Sequence, residues 1–474
     1  MATLTRERAA ATRIERDTLG EVRVPAEALW GAQAQRAVEN YPISGYRAFP
    51  AFIRAIVSVK KAAALANAEA GRLPADRRDA IVWACEEILA GRHHDHFVVD
   101  VFQAGAGVSF HMNANEVIAN LADRRLGGAL GTYIKVHPND HVNMAQSTND
   151  VTPTAMRLAH LELTKELVAE LDRLADAIDA KAQEHRDVVK PGRTHLQDAV
   201  PITFGQELGG WAARVRSAST RLRAGRAELC ELGIGGTAAG TGLNADPKFR
   251  DRVCRHLAEW YGEPIVPAKD LFQAMQSMAP FVRISSGMRT AAIEVAQICN
   301  DIRLLVSGPR TGFGEIQIPA VQPGSSIMPG KVNPAIAEMV DQVCYQVMGN
   351  DTAVMLGAQA GQLELNVMMP GINFAVCFSA TIFTNAVRQL RTRTVEGLRV
   401  DTDRARELLE ASPSLLVTAL SPHIGYAKAA ALAKRALAER RSLFDVALEE
   451  KVMPEADLRR VLDPLPMTRG GVME

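Results

Sequence analysis

Apolar residues recur at helical spacing along much of the chain. After Pro153, Leu163, Leu167, Leu171, Leu174 and Ile178 follow at intervals of four, four, three and four, with Asp172, Arg173, Asp176 and Asp179 on the other side. That pattern predicts an amphipathic helix capped by Thr152, with Pro153 at its first position. Three further stretches, about Ala279 to Leu305, Ala335 to about Gly357, and Ala375 to about Leu398, are apolar on more than one face. Within the first of these, Ala291, Ala292, Val295, Ala296 and Ile298 leave little polar surface. Such helices belong in a bundle core or a subunit interface. The small side chains Ala358, Ala380 and Ala386 let neighbouring helices approach closely.

Glycine- and proline-rich breaks interrupt the pattern at "VVKPGRTHLQDAVP", "LGIGGTAAGTGLNADP" and "QPGSSIMPGKVNPA". Past Val400 the chain changes to short, charged helical runs. The expected class is therefore mainly α, in three parts. Residues 1–146 form an N-terminal, mostly helical domain, 147–400 a central long-helix bundle carrying a loop at 322–335, and 401–474 a small C-terminal helical domain.

Composition narrows the functional classes. Hydrophobic residues make up 47% of the 474 and aromatics only 5%, which favours a helical globular protein. Lys+Arg and Asp+Glu each total 54, so no overall charge draws the chain to nucleic acid or a membrane surface. The six cysteines, Cys85, Cys230, Cys254, Cys299, Cys344 and Cys377, form no C-x-x-C pair, which speaks for a reducing cytoplasm rather than a disulfide or zinc framework. The charged start "MATLTRERAAATRIERD" has no apolar core of a secretory signal, and no uninterrupted apolar run of membrane length is present.

Candidate chemistry lies in the breaks. In the 322–335 loop, Gly324 and Gly330 enclose five residues and Val332 follows Lys331, so a nucleotide P-loop fails on spacing and on the missing hydroxyl. What remains is Ser325, Ser326, Lys331 and Asn333, a set able to hold a carboxylate. Ser147, Thr148 and Asn149 precede a helix start, and serve either as a capping cluster or as an anion site. Thr194 and His195 follow a Pro-Gly turn. The glycines of "LGIGGTAAGTGLNADP" lack dinucleotide order and are read as permitting close backbone packing. Consecutive His93, His94, Asp95 and His96 do not converge on one metal. The inventory suits a small dianionic acid, with no cofactor.

"GSSIMPGKVNP" from Gly324 to Pro334 resembles the signature of the fumarase/aspartase superfamily. "HVNMAQSTND", "GRTHLQDAVPITFGQE", "GGTAAGTGLNA" and "SGPRTGFGEI" are similar to its other segments, in its order, over nearly the whole chain. "FVVDVFQAGAG", "MNANEVIAN" and "AGQLELNVMMP" resemble the aspartate ammonia-lyase branch, whereas "LWGAQAQR" is more like fumarate hydratase. The resemblance implies a fumarase/aspartase-like fold and a homotetramer whose helices pack into one core, each active site drawing loops from three subunits. It implies a cofactor-free carbon–nitrogen lyase acting on aspartate or a modified aspartate, with fumarate hydratase and a non-catalytic structural paralogue as alternatives. By the same match, Ser325 is the base that removes the proton beside a carboxylate, and Lys331 and Asn333 hold the α-carboxylate. Ser147, Thr148 and Ser326 hold the carboxylate that becomes a dianion. Asn149 and His195 meet the leaving group, Thr194 supports binding, and Glu338 resembles the glutamate that pairs with this histidine.

One segment departs from the family. In "QAGAGVSFHMNANE", Val108 stands where a threonine is usual, Phe110 where a smaller residue is common, and His111 where asparagine is usual. Val108 cannot donate a hydrogen bond, so these three positions point to an altered substrate or to compensated drift.

Overall fold

The computed structural model describes residues 11–471, and the charged residues 1–10 lie outside that range. The fold is mainly α. The four sheets among the described residues are two-stranded. Two compact units divide the chain. One draws on residues up to Val168, Thr220–Thr290 and Gln346–Ile382, and the other on Ala169–Ser219, Ala291–Tyr345 and from Phe383 onward.

The predicted long helices are present as Thr148–Glu184, Ala279–Leu305, Ala335–Gln359 and Met369–Leu390. Leu167, Leu171, Leu174 and Ile178 are buried, as are Ala291, Ala292, Val295, Ala296 and Ile298. The first of these helices begins earlier than its proline suggests: it opens at Thr148 and Pro153 lies inside it. Thr152 is buried without a hydrogen-bond partner, so it does not cap. The start is fixed instead by the Asp150 carboxylate, which accepts the Ser147 N–H at 2.9 Å. Met369–Val395 is long and apolar enough to cross a membrane by composition, but most of its apolar window is buried within the protein. All six cysteines are free and buried. Burial pushes the Cys85, Cys254 and Cys344 thiols up to about 12.

In the first unit, helices Pro50–Glu69, Ala75–Leu89, Val108–Arg125 and Phe249–Tyr261 pack on one another. The chain enters this unit through an antiparallel hairpin, Thr12–Asp17 with Gly20–Pro25, which buries Val22 and Val24. The sequence reading placed no strand there. Arg13 holds it closed by donating to the carbonyls of Pro25, Ala26, Ala28 and Trp30.

In the second unit, "VKPGRTHLQDAVPIT" is also a hairpin, with strands Val189–Thr194 and Gln197–Thr203. Pro191 and Gly192 fall at a bulge within the first strand rather than at a turn. The turn is His195–Leu196, and both residues have positive φ, 53° and 59°. That is the geometry of a tight two-residue hairpin, here without the glycine or asparagine that usually adopts it. Such backbone strain persists only where the surroundings enforce it. The first strand is anchored by ion pairs. Lys190 lies 2.7 Å from Glu207 and 3.0 Å from Glu315, and Arg193 lies 2.7 Å from Glu315. Arg193 also stacks over the Phe313 ring. Helices Thr402–Ala411 and Pro413–Val417 pack against the two strands.

Lys190→Met removes the cation shared by the buried Glu315 and the half-buried Glu207. It is expected to cost about 3 kcal/mol in chemical denaturation. Amide exchange over residues 189–203 is expected to quicken more than exchange elsewhere in the same unit.

Candidate active site

The first unit supplies a polar turn at the start of helix Thr148–Glu184. Asp150 is fully buried and accepts three backbone N–H groups, from Ser147 at 2.9 Å, Gly235 at 3.0 Å and Thr237 at 2.9 Å. Burial pushes its carboxyl up to about 6, while the three N–H groups and the nearby Lys60 charge pull it back. One carboxylate thus ties the serine–threonine–asparagine turn to the glycine-rich loop, and this is the close packing its glycines allow. Asn149 joins the same loop by donating from Nδ2 to the Ala238 carbonyl at 2.8 Å. Ser147 Oγ accepts the Asn149 N–H at 3.2 Å. Ser147, Thr148 and Asn149 are half-buried, set on a helix N-terminus whose dipole favours an anion.

The three departing residues fall in different surroundings. Val108 opens helix Val108–Arg125 with its side chain 41% exposed. Phe110 is buried and stacks on Phe52 at 4.9 Å between ring centres, so its bulk is taken up by the core of the unit. His111 is buried and its Nδ1 lies 2.7 Å from Thr148 Oγ1. On its other side, His111 Nε2 lies 2.5 Å from Lys60 Nζ. Sequence reasoning missed Lys60, Asp150, Asn143 and Gln146. The available signal was "IVSVKKAAALANA", two lysines in a stretch otherwise almost wholly apolar.

The second unit carries the other candidate residues. The 322–335 loop is irregular and folds back on itself. The Gly324 N–H donates to the Lys331 carbonyl at 2.9 Å, and a side chain at 324 would meet that carbonyl oxygen. Gly330 has φ +82°. Ser325 Oγ receives two N–H groups, from Ile327 at 3.2 Å and Met328 at 3.0 Å. Lys331 Nζ donates to Asn333 Oδ1 at 2.7 Å, and Asn333 Nδ2 donates to the Gly324 carbonyl at 2.7 Å. Ser326, Ile327 and Lys331 are exposed. A cleft of about 1030 Å³ opens beside the loop, lined in part by Lys331, Asn333, Glu338, Arg303 and Arg404. Thr194 and His195 stand exposed at the hairpin tip. Among the described residues no hydrogen bond joins Glu338 to His195.

Chemically, the first turn offers two hydroxyls and a helix N-terminus, groups suited to an anion. The loop pairs a hydroxyl already receiving two N–H donors with an exposed ammonium. Among the described residues no cluster of three or more His, Cys, Asp or Glu side chains suited to a metal is present. His94 Nε2 instead meets the Ile88 carbonyl, and His96 Nδ1 accepts the Leu29 N–H.

The chain matches a lyase family over residues 20–349 and a fumarase C C-terminal family over residues 416–469. An aspartate ammonia-lyase of Pseudomonas aeruginosa is 47% identical over 458 residues, 96% of each chain. A fumarate hydratase class II of Xylella fastidiosa is 46% identical over 461 residues, 97% of this chain and 96% of that one. A solved fumarate lyase:delta crystallin from Brucella melitensis, bound to cobalt, superimposes with a TM-score of 0.93 at 47% identity, covering 97% of this chain and all of that one. The protein is therefore a member of the fumarase/aspartase lyase superfamily.

Proposed function

We propose that the chain eliminates ammonia, or an amine, from L-aspartate or a modified aspartate to give fumarate. Relatives named aspartate ammonia-lyase at 44–47% identity support this direction. The observation that carries the chemistry is the pair of N–H groups from Ile327 and Met328 directed at Ser325 Oγ. A serine removes a C–H proton only as an alkoxide, and those two donors stabilise that charge.

In this reading Ser325 takes the proton from Cβ. The electron pair passes into the carboxylate bonded to Cβ, giving an aci-carboxylate with two negative charges. That pair then returns to form the double bond as the Cα–N bond breaks and the amine leaves. Ser147, Thr148 and Ser326 donate to the doubly charged group. Such donors supply the main stabilisation, roughly 3–4 kcal/mol each. Lys331 and Asn333 bind the α-carboxylate. Asn149 and His195 face the leaving amine, Glu338 supports the histidine, and Thr194 supports binding.

Two units each carry part of this set, and we propose a homotetramer in which three subunits complete each site. Exposed apolar residues on helix Ala335–Gln359, Tyr345, Met355 and Leu356, support burial of that helix between chains. The three-domain division, a cytoplasmic location and a reaction without cofactor belong to the same proposal.

The second reading is hydration of fumarate to malate, favoured by fumarate hydratase relatives at similar identity. Absorbance of fumarate, followed with L-aspartate and L-malate offered separately, distinguishes them. Fumarate from L-aspartate or its N-substituted forms is expected, and Ser325→Ala should lower kcat by roughly a thousandfold or more. Fumarate from malate alone would establish the hydratase. Inactivity on every fumarate adduct, with Ser325→Ala as stable as wild type, would point to a structural paralogue.

Val108 presents methyl groups where the resemblance expects a hydroxyl. Val108→Thr is expected to raise kcat/KM for plain L-aspartate relative to an N-substituted aspartate by roughly 2- to 12-fold, the worth of one hydrogen bond. Equal ratios in both proteins would remove the case for a modified substrate.

A further inference from the structure

Lys60 is fully buried, and three acceptors surround its Nζ: Asn143 Oδ1 at 2.9 Å, Gln146 Oε1 at 2.9 Å and His111 Nε2 at 2.5 Å. The two amides are pinned with their oxygens toward the lysine. Asn143 Nδ2 donates to the Gln146 carbonyl, and Gln146 Nε2 donates to the carbonyls of Val142 and Met144. Three acceptors match the three N–H groups of an ammonium, whereas a neutral amine has only two. Burial draws Lys60 down from the usual ammonium range, and the Asp150 charge opposes that. The three acceptors favour the charged form against that burial.

The histidine follows from the lysine. Burial, reinforced by the Lys60 charge, holds His111 well below the ordinary imidazole range, so the ring is neutral. With Lys60 an ammonium, the Nε2 lone pair faces it and the ring's one proton sits on Nδ1. Nδ1–H then donates to Thr148 Oγ1 at 2.7 Å. An oxygen that accepts from the ring keeps its own hydrogen for another partner. With the opposite tautomer, Thr148 would spend that hydrogen on His111.

We propose that Lys60 and His111 form a buried positioning relay that fixes Thr148 as a hydrogen-bond donor to the substrate carboxylate that takes up charge. This rests on the reading of Thr148 as a ligand of that carboxylate. Neither Lys60 nor His111 touches the substrate. An asparagine at 111 offers the same two functions, an oxygen to accept from Lys60 and an N–H to donate to Thr148, whereas a leucine offers neither.

The test compares H111L, H111N, K60M and the K60M/H111L double variant for kcat and KM on the substrate the wild type turns over. H111L and K60M are each expected to lose roughly 10- to 100-fold in kcat, since the donor acts in the transition state, with KM little changed. H111N is expected to recover most of that loss, and the double variant to be no slower than the worse single one. Equal rates for H111L and H111N, or multiplicative losses in the double variant, would overturn the relay. A second measurement needs no destabilising change: the ¹⁵N spectrum of the wild-type imidazoles, with His111 assigned by its absence in H111N. A neutral ring protonated at Nδ1 supports the relay, and a ring protonated at Nε2 overturns it. A wild type that releases fumarate from neither aspartates nor malate overturns the functional reading, while the tautomer result still decides the lysine–histidine geometry.

Discussion

A single carboxylate without solvent contact organises the polar half of the first unit. Asp150 gathers N–H groups from its own turn and from a loop more than eighty residues later in the chain. Burying a charge is costly, and charge-assisted hydrogen bonds of normal length offset that cost. Remove the carboxylate, and both the helix start and the glycine loop lose their common anchor. The Ser147–Asn149 turn is in place before any ligand arrives.

The 322–335 loop is built on the contrary principle. Its lysine and asparagine satisfy one another, its tip is exposed, and its serine is held only by local N–H groups. Each of the two keeps further N–H donors for a ligand, since the lysine spends one of its three on the asparagine and the asparagine spends one of its two on Gly324. One constellation is tied down by a buried carboxylate, and the other is exposed and held by its own residues. That division suits a reaction in which charge builds on one carboxyl group while the other serves as a handle.

The long helices were legible because their apolar residues repeat at the helical period over several turns. Ala279–Leu305 could be read to within a residue or so at each end. The helix start near residue 150 was misplaced because Thr152–Pro153 is a good local signal that tertiary structure overrides through Asp150. The hairpin at 189–203 was hidden for a related reason. Pro191–Gly192 resembles a turn, and the true turn uses a histidine and a leucine that prefer other conformations. Ion pairs to nearby Glu207 and to Glu315, 122 residues from Arg193, anchor the hairpin's first strand. Lys60 is not legible in the sequence because a lysine in an alanine-rich helix ordinarily marks the wet face. The loops' polar residues, by contrast, were visible at once, since their density at fixed order is what identifies the family.

The buried, protonated cysteines have a practical corollary. A thiol-directed dye or spin label meets no ready nucleophile on the folded chain, because all six sulfurs are inside and those with raised pKa values hold little thiolate. The native sequence is thus a quiet background for spectroscopy. A lone cysteine engineered at Ile327, at the outer edge of the serine-bearing loop and 83% exposed, would take up the label by itself and report how that edge moves when a dicarboxylate arrives.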